Sequence, residues 1–330
     1  MSNRTRARTE AAVFALIVIG VVLAPLGGSR LVIYNLTITA LYAMVVVSLN
    51  LLLGLAGQVS FAHTTFMAIG GYGSAILTTR LGLDPWVALV ASAFMALVAA
   101  LVVGGPILRL RGHYLAMATF ALALGTNSFV TAATPLTNGS IGISGVPPLA
   151  FGSFAFDSPV SFYALSWVFC GIAMAVFALL ANSYIGRAWR ALATGQDIAA
   201  TLGINVTAYK IMAFAIAAVI AAVAGSLYVE FTSFVGPDLY DISIMVNVFL
   251  MLFIGGRGSY VGPIVGAGVL TIAPQYLAGL EQFQNLVFFI FLLVLILVWP
   301  SGLFGRVRDS GPIEAMLPLW LRRRRRPAAP

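Results

Sequence analysis

Runs of apolar residues long enough to cross a lipid bilayer recur along this chain and limit its fold more than any other feature. A membrane-spanning helix needs about 20 apolar residues, and the sequence predicts ten such helices. Charged residues make up 8% of the chain, against about 25% in an ordinary soluble domain. The sequence therefore predicts an all-α fold, a polytopic transmembrane helical bundle. The predicted helices lie near residues 11–27, 31–53, 60–79, 85–108, 114–134, 159–181, 208–230, 241–256, 260–280 and 283–300.

Basic residues are sorted to one side of the membrane by this arrangement. When the N-terminus is placed in the cytoplasm, every lysine and arginine except Arg30 and Arg80 falls on the cytoplasmic side. The positive-inside rule requires this asymmetry. Several acidic residues, among them Glu230 and Asp241, fall on the outer side. Both termini are therefore predicted to be cytoplasmic, which agrees with an even number of helices.

Ten helices divide into two groups of five, and an odd number per group forces the second group to be inverted relative to the first. Inverted repeats of this kind are common in transporters. Residues 54–75 and 255–270 show a weak sequence similarity that would echo such a repeat, since both segments are predicted to begin at the inner face and are rich in small side chains. Glycine content alone could produce the same echo, so both explanations stay open.

The two ends of the chain are predicted to flank a single transmembrane domain. Residues 1–10 form a cytoplasmic segment, residues 11–300 form the membrane domain, and residues 301–330 form a basic cytoplasmic tail. The first apolar run resembles a signal peptide, but no clean small-residue cleavage site follows it, which favours an uncleaved spanning helix. The arginines at 322–326 are expected to lie on the headgroups of the lipid bilayer, and no nucleic-acid partner is predicted.

The segment at residues 182–210 is the one long polar interruption that also has a helical pattern. Apolar residues, including Trp189 and Leu202, recur at helical spacing, while arginines and other polar residues fill the remaining surface. Gly195 divides the segment, and Gly203 stands where a helix would end and turn. A short helix-turn-helix with exposed apolar residues indicates a cytoplasmic docking loop at about 183–207. The alternative is a helix that lies on the lipid headgroups.

No catalytic or metal-binding constellation is visible, and no cofactor is predicted. The chain has one cysteine, Cys170, and two histidines, His63 and His113, which are too few for a metal cluster. Ionisable residues at membrane depth mark proton relays, and the spanning runs hold almost none. The two exceptions, Glu230 and His63, are expected to be interfacial rather than buried. Coupling to a proton is therefore disfavoured.

Uncharged polar residues within the predicted helices are candidates for a solute path. Four are selected as wall residues of a path for a neutral or zwitterionic solute: Asn50, Gln58, Asn127 and Asn247. The alternative is that these side chains only join helices, since polar groups in hydrocarbon seek partners on neighbouring helices. The loop at 135–159, rich in Gly, Ser and Pro, is predicted to be a shaped turn region on the outer side.

Five motifs resemble the permeases of branched-chain amino acid ABC importers, and the resemblance covers about residues 35–300. The run RGHYLAMAT is more similar to the larger, LivM-type permease subunit than to its smaller partner. The motifs are LNLLLGLAGQVSFAHTTFMAIGGYGSA at 49–75, LRLRGHYLAMATFALA at 108–123, GISG at 142–145, GRAWRALATGQDIAATLGINVTAYK at 186–210 and FIGGRGSYVGPIVGAGVL at 253–270.

This resemblance implies a multi-pass protein of the bacterial inner membrane that works with several partners. A second homologous permease would pair with it, two cytoplasmic ATP-binding subunits would drive alternating access, and an extracytoplasmic solute-binding protein would deliver the ligand. The chain itself would not be an enzyme. The resemblance assigns ATPase coupling to the loop at 186–210, and the residues expected to dock are Gly186, Arg187, Arg190, Ala191, Asp197, Ala199, Ala200 and Gly203.

Two other functions are weighed against this one. A self-contained secondary carrier of a small neutral or zwitterionic solute agrees with an inverted repeat but has no use for a structured docking loop. An intramembrane enzyme would need a cluster of His, Asp or Glu that the sequence does not contain. Related permeases carry branched-chain amino acids, other amino acids or small amides such as urea, and the sequence does not decide among these substrates.

Overall fold

The computed structural model describes residues 17, 19–25, 27–152, 154–276 and 302–304. About half of the first predicted helix, the whole of the tenth, the N-terminal segment and nearly all of the basic tail lie outside these residues. The α-helices are α1 (Arg30–Leu49), α2 (His63–Thr79), α3 (Pro85–Ile107), α4 (His113–Ala132), α5 (Thr134–Thr137), α6 (Pro159–Asn182), α7 (Tyr184–Thr194), α8 (Gln196–Thr201), α9 (Val206–Thr232), α10 (Ile242–Gly255) and α11 (Gly262–Tyr276).

Five helices are long and apolar enough to cross a membrane. They are α1 with its continuation to Leu55, α3, α4, α6 and α9, each of 20 to 27 residues. The prediction of a helical, multi-pass membrane protein is confirmed to this extent. The third, eighth and ninth predicted runs also form helices, but α2, α10 and α11 have 17, 14 and 15 residues in the described part of the chain. These helices are shorter than a typical spanning helix.

Helix boundaries follow local capping chemistry. The carboxylate of Asp84 accepts a hydrogen bond from the Trp86 amide at 2.9 Å, and Pro85 occupies the first turn of α3. The side chain of Asn205 accepts one from the Ala208 amide at 3.1 Å at the start of α9. Such caps satisfy amides that have no partner within the helix, so the polar residues between the apolar runs set where each helix begins.

The central helices α1 and α9 each pack mainly on helices from the other half of the chain. The long helix α9 packs on α2 and α3, which also pack on each other. In the same way α1 packs on α10 and α11, which pair with each other. Helices α1 and α9 also touch, so the core of the bundle lies where these two groups meet.

At the end of α1 the backbone widens into a π-helix at Asn50–Leu55 before it leaves the helix at Ala56. Isolated π turns inside longer helices are often found at functional sites. Asn50, the first residue of this turn, has a fully buried side chain. The chain then runs through residues 56–62 without regular structure and enters α2.

Glycines let the backbones of paired helices touch. A Cβ atom at Gly225 of α9 would overlap the Met67 carbonyl of α2, and one at Gly70 of α2 would overlap the Ala222 carbonyl of α9. The same relation joins Gly266 of α11 to the Met251 carbonyl of α10. Small residues at such crossings are the usual means of close helix packing in membranes.

The loop at 135–159, predicted to be a shaped turn region, contains several short elements and pairs with the segment that follows α9. A 3₁₀ turn at Gly139–Ile141 follows α5 and precedes the strand β1 (Ile143–Ser144). Strand β1 pairs antiparallel with β4 (Phe234–Val235), which directly follows α9. Strands β2 (Ala150–Phe151) and β3 (Phe154–Ala155) form a separate hairpin. A second 3₁₀ turn, Pro237–Tyr240, leads into α10.

Replacing Gly225 with valine is expected to lower the stability of the folded protein by about 1–3 kcal/mol or more, because the new side chain would force the α2 and α9 backbones apart. The measurement is the melting temperature of detergent-solubilised protein, followed by size-exclusion chromatography after heating. Gly171→Val on α6 is the matched control, since no atom lies within 4 Å of a Cβ at that position. Equal melting temperatures for the two variants would contradict the close crossing.

Candidate functional site

The predicted helix-turn-helix at residues 182–210 is present and is named here the docking hairpin, α7 and α8 together. Ser183 caps α7 by accepting a hydrogen bond from the Gly186 amide at 3.3 Å. The helix ends at Thr194, Gly195 separates it from α8, and α8 ends at Thr201. Gly203 then adopts φ +77°, a conformation that favours glycine. The predicted roles of Gly195 and Gly203 as break and turn are confirmed.

Trp189 anchors the docking hairpin to the membrane helices. Its ring is fully buried, and its Nε1 donates a hydrogen bond to the Tyr209 carbonyl at 2.9 Å. Arg190 donates from Nη1 to the Ala181 carbonyl at 2.7 Å, next to the end of α6. Leu192 is buried on the same side. The hairpin is therefore packed against both α6 and α9 rather than held only by its ends.

The eight predicted docking residues divide between a buried and an exposed face. Gly186 and Ala199 are buried. A Cβ atom at Gly186 would overlap the Leu180 and Ala181 carbonyls, so this position does not accept a larger residue. Arg190 and Ala191 are half-buried. The exposed face contains Arg187, Asp197, Ala200 and Gly203, together with the apolar side chains of Ile198 and Leu202.

An ion pair joins the docking hairpin to the start of α4. Arg111 Nη1 lies 2.9 Å from Asp197 Oδ1, and the two side chains are 65% and 87% exposed. Pairs as exposed as this contribute about 0–1 kcal/mol. The pair therefore adds little stability, but it places the start of α4 beside α8.

A second contact joins the docking hairpin to residues 56–62, named here the relay loop. Gly57 adopts φ +67°, and a Cβ there would lie 2.8 Å from Ala193 Cα of α7. Further along the loop, the Phe61 amide donates to Thr119 Oγ1 of α4 at 3.1 Å. The Phe61 ring lies 4.5 Å from that of Phe249 in α10. The relay loop thus touches α7, α4 and α10 within a few residues.

The side chain of Asn50 joins the π-helix to the loop between α10 and α11. Its Nδ2 donates to the Ser259 carbonyl at 2.9 Å, and its Oδ1 accepts from the Gly258 amide at 2.8 Å. Both ends of the buried amide are therefore used within the protein. This arrangement agrees with a structural role for Asn50 rather than with a free group on a solute path.

The other three path candidates lie apart from one another. Gln58 is buried in the relay loop, and neither polar atom of its amide has a hydrogen-bond partner among the described residues. Asn127 on α4 donates to the Pro237 carbonyl at 3.0 Å and so holds the second 3₁₀ turn. Asn247 on α10 lines a cavity. The structure does not bring the four residues together into one wall.

The expectation that Glu230 and His63 are interfacial is wrong, because both side chains are buried. Glu230 is 2% exposed, and its Oε1 accepts hydrogen bonds from Ser74 at 3.0 Å and Ser226 at 3.3 Å. His63, at the start of α2, is 4% exposed. Lys210 is buried too and donates to the Leu108 carbonyl at 3.2 Å. Position near the end of an apolar run did not distinguish these sites from exposed ones, because burial depends on neighbouring helices.

Two cavities differ in the chemistry of their walls. The larger, about 720 Å³, is lined by apolar side chains of α1, α3, α6 and α9. The smaller, about 320 Å³, lies among α1, α9, α10 and α11 and has polar and apolar walls. Only the smaller one offers hydrogen-bonding groups to a solute.

Tyrosines around the smaller cavity were missed in the sequence analysis. Tyr34 and Tyr42 stand eight residues apart on α1, with Ile38 between them, and Tyr228 faces them from α9. Tyr34, Ile38 and Tyr42 are spaced four residues apart, which places them on one face of a helix. This spacing could have identified them as one wall of the cavity. Nearby, Tyr240 is buried beside Tyr72, and burial together with the neighbouring phenols raises the pKa of Tyr240 well above its usual range.

Among the described residues, no group of three or more His, Cys, Asp or Glu side chains is placed to hold a metal ion. Cys170 is a buried free thiol on α6. The arrangement of this part of the chain offers hydrogen bonds and close packing.

Replacing Asn50 with leucine is expected to lower the melting temperature of the solubilised protein, since the Gly258 amide and the Ser259 carbonyl would lose their buried partner. Each buried group left unpaired costs about 1–3 kcal/mol. Asn182→Leu is the control, because the hydrogen bonds of this exposed side chain, to the Ala178 carbonyl and from the Tyr260 hydroxyl, are open to water and cost little to lose. A melting temperature of the Asn50 variant equal to that of this control would show that the amide does not hold the loop.

Comparison with known proteins gives consistent matches along most of the chain. A family model described as "Branched-chain amino acid transport system / permease component" matches residues 31–299. The Escherichia coli K12 high-affinity branched-chain amino acid transport system permease protein LivM is 29% identical over 298 residues, covering 83% of this chain and 70% of the relative. The corresponding LivH protein is 30% identical over 292 residues, covering 82% and 94%. A probable branched-chain amino acid transport permease protein LivM from Methanocaldococcus jannaschii is 25% identical over 272 residues, covering 68% and 75%. No solved structure matches the chain.

Proposed function

This chain belongs to the permease components of branched-chain amino acid transport systems, and we propose that it is the LivM-type permease subunit of an ATP-driven importer. The observation that carries the proposal is the docking hairpin, an anchored pair of short helices with an exposed apolar face. The relatives of this chain are transport permeases, and the chain is accordingly a transport subunit rather than an enzyme. ATP would be hydrolysed by two separate cytoplasmic subunits.

The proposed topology places both termini in the cytoplasm of a bacterium and ten helices in its inner membrane. The arginines and the lysine then lie inside, apart from Arg30 and Arg80. Residues 1–10 and 301–330 would flank the membrane domain at 11–300. The short helices α2, α10 and α11 would cross the membrane with the help of the irregular segments that precede them, which is tolerated where such backbone is buried in protein.

An inverted repeat of five and five helices is part of the proposal. The repeat is supported by the helix packing, because the corresponding helix of each half packs on helices of the other half. Helix α9 lies on α2 and α3, and α1 lies on α10 and α11. In this scheme α1 corresponds to α9, α2 to α10 and α3 to α11. The similarity between residues 54–75 and 255–270 would instead pair α2 with α11, so it does not support this correspondence. The relay loop would then correspond to residues 233–241 on the opposite face, since each segment connects the second and third helices of its half of the chain. Inverted repeats of this kind support alternating access.

The exposed face of the docking hairpin is proposed to insert into a groove on the ATP-binding subunit. Arg187 would pair with an acidic group there, Ala200 would permit close approach, and Ile198 and Leu202 would bury apolar surface. Asp197 is already paired with Arg111, so it would hold α8 in place. The buried members of the predicted set, Gly186 and Ala199, would shape the hairpin and not contact the partner.

Transmission to the solute path is proposed to pass through the relay loop. ATP would close the two ATP-binding subunits and move the hairpin, and Ala193 would then press on Gly57. The displacement would reach Phe61, whose ring packs on Phe249 of α10. Gln58 would change its surroundings in the same step, because its buried amide has no partner in the present arrangement among the described residues.

Branched-chain amino acids are the proposed substrates, by analogy with the named function of the relatives. Other amino acids and small amides such as urea are the alternative substrates. An extracytoplasmic solute-binding protein would deliver the substrate to the outer side, and a second, homologous permease would complete the path. Of the path candidates, Asn247 is the best placed, because it lines the polar cavity.

A self-contained secondary carrier is the second candidate, and one observation favours it. Glu230 is buried in a spanning helix, and its Oε2 has no hydrogen-bond partner among the described residues. Ionisable groups at membrane depth are characteristic of ion-coupled carriers. The test below separates the two candidates, because a carrier needs no ATP-binding subunit.

Changing Ala200 to glutamate is expected to lower the affinity of the permease pair for the ATP-binding subunit by about tenfold or more. Less of that subunit would then co-purify with the pair. The added side chain would occupy the docking face without touching the buried anchor Trp189. Ser140→Glu, exposed on the opposite side in the proposed topology, is the control for added charge. The measurement is co-purification in mild detergent together with ATP-driven uptake in vesicles.

Unchanged co-purification and uptake with Ala200→Glu would show that the hairpin does not dock. If no ATP-binding subunit is retained by the unmodified chain, and the purified chain alone moves solute in vesicles, the carrier is the correct function. A point substitution is preferable to replacing residues 186–204 with a flexible linker, because the linker would also remove the buried Trp189.

Gly57→Ala is expected to lower uptake by about tenfold or more while the ATP-binding subunit stays bound, because the added methyl group would meet Ala193 and the backbone would be strained. Gly82→Ala is the matched control. Gly82 has nearly the same φ, +64°, but no atom lies within 4 Å of a Cβ there. Uptake that falls equally in both variants would mean that backbone strain alone explains the loss, and the contact with α7 would have no role in coupling.

A further inference from the structure

The cavity of about 320 Å³ lies inside one permease subunit, between the two groups of helices described above. Its lining residues come from α1, α9, α10 and α11. In the proposed topology α1 and α10 run inward, and α9 and α11 run outward. Tyr34 near the start of α1, Tyr228 near the end of α9, Asn247 in the first half of α10 and Thr271 near the end of α11 then all lie in the outer half of the membrane. Four helices thus place the cavity where a solute would arrive from outside.

One side of the cavity is polar. Asn35 and Asn247 supply side-chain amides, and Tyr42, Tyr228 and Thr271 supply hydroxyls. The Tyr42 and Tyr228 rings meet edge to face, with centroids 5.9 Å apart. Thr271 is fixed by hydrogen bonds to the Ala267 carbonyl at 2.8 Å and to the Thr39 hydroxyl at 2.6 Å. Contacts of this kind hold the wall in place before a solute enters.

The other side of the cavity is apolar and is formed by Ile38, Met251, Leu270 and Pro274. Met251 and Leu270 are buried, with 3% and 6% of their surface exposed. A solute that fits must therefore carry hydrogen-bonding groups at one end and a short aliphatic group at the other. The volume lies at the small end of the range for ligand sites, about 300–1,000 Å³.

Of the described residues that line the cavity, none carries a charge. Burial of a net charge without a partner is costly, so the site disfavours cationic and anionic solutes. A zwitterion is neutral overall, and its two ends can each be met by uncharged groups. The amide N–H and hydroxyl groups can donate to a carboxylate, while amide oxygens and tyrosine ring faces can receive an ammonium group.

We propose that this cavity is a binding site for a neutral zwitterionic amino acid with an aliphatic side chain, held within a single permease subunit. The amino and carboxylate groups lie against Asn247 and the hydroxyls of Tyr42 and Tyr228, and the aliphatic group lies against Met251 and Leu270. The inference rests on the proposed transport function and deepens it, because it gives this subunit its own selectivity in addition to that of an external binding protein.

The test is equilibrium binding of tritiated L-leucine to the full chain, together with its partner permease, in lipid nanodiscs by scintillation proximity. Neither ATP nor the binding protein is present. Saturable binding is expected, with competition by valine and none by lysine or glutamate at the same concentration. Asn247→Leu should weaken leucine binding by about tenfold, the effect of losing one good hydrogen bond to a charged group. Asn182→Leu, the same change at an exposed site, should leave leucine binding unchanged.

A second variant tests the orientation of the solute independently of folding. Leu270→Phe fills the apolar side of the cavity and leaves the polar side intact. It should weaken the binding of leucine more than that of alanine, which a general loss of structure would not do. An unchanged preference between leucine and alanine would overturn the proposed orientation, and with it the site.

Other outcomes separate this inference from the proposed function. Absence of saturable binding to the unmodified permease pair, or equal binding by Asn247→Leu and wild type, overturns the site even if ATP-driven uptake is intact. Saturable binding that Asn247→Leu weakens by about tenfold supports the site even if no ATP-binding subunit co-purifies, and in that case the importer proposal fails while the binding site stands.

Discussion

The buried amide of Asn50 is the interaction on which the arrangement of the irregular segments depends. In a bilayer, backbone polar groups must be paired within the protein, so non-helical chain is tolerated only where it is buried and hydrogen-bonded. Asn50 begins the π-helix that ends α1, and it also pairs with the backbone at residues 258 and 259. One side chain therefore holds together two breaks in helical structure that are more than 200 residues apart along the chain. The relay loop, α10 and α11 are positioned from this point.

From this fixed point, contacts extend to both faces of the bundle. Toward the face that carries the docking hairpin, the relay loop meets α7 at Gly57 and α10 at Phe61. Toward the opposite face, Asn127 of α4 holds the 3₁₀ turn that follows α9, and β4 pairs with β1 of the loop at 135–159. Helix α4 takes part at both ends, because Arg111 before it pairs with Asp197 of the docking hairpin. The proposed docking surface and the loop at 135–159 are thus joined through described contacts.

The sequence predicts where the helices lie, but it does not predict which helices pack against one another. Apolar runs predicted the second to the ninth helix, and the positions of Gly195 and Gly203 predicted the helix-turn-helix, because both signals are local. The burial of Glu230 and His63 was not predicted, since it depends on which helices surround them. The four chosen path residues share a polarity that sequence can show, yet Asn50 and Asn127 bind backbone carbonyls and only Asn247 lines the cavity. The face formed by Tyr34, Ile38 and Tyr42 was readable from its spacing, but nothing local showed that Tyr228 would meet it.

The glycine crossing of α2 and α9 has a mechanical consequence. At Gly225 the backbones are in contact, so a rigid α9 that tilts would turn about this point. The arm from Gly225 to Val206, beside the docking hairpin, is about 28 Å long, and the arm from Gly225 to Thr232 is about 10 Å, at 1.5 Å per residue. The fulcrum is therefore off centre, and the helix acts as a reducing lever. A broad sweep at the Val206 end becomes a smaller movement with correspondingly greater force, about one-third as large at Thr232 and about one-sixth as large at Tyr228 beside the cavity.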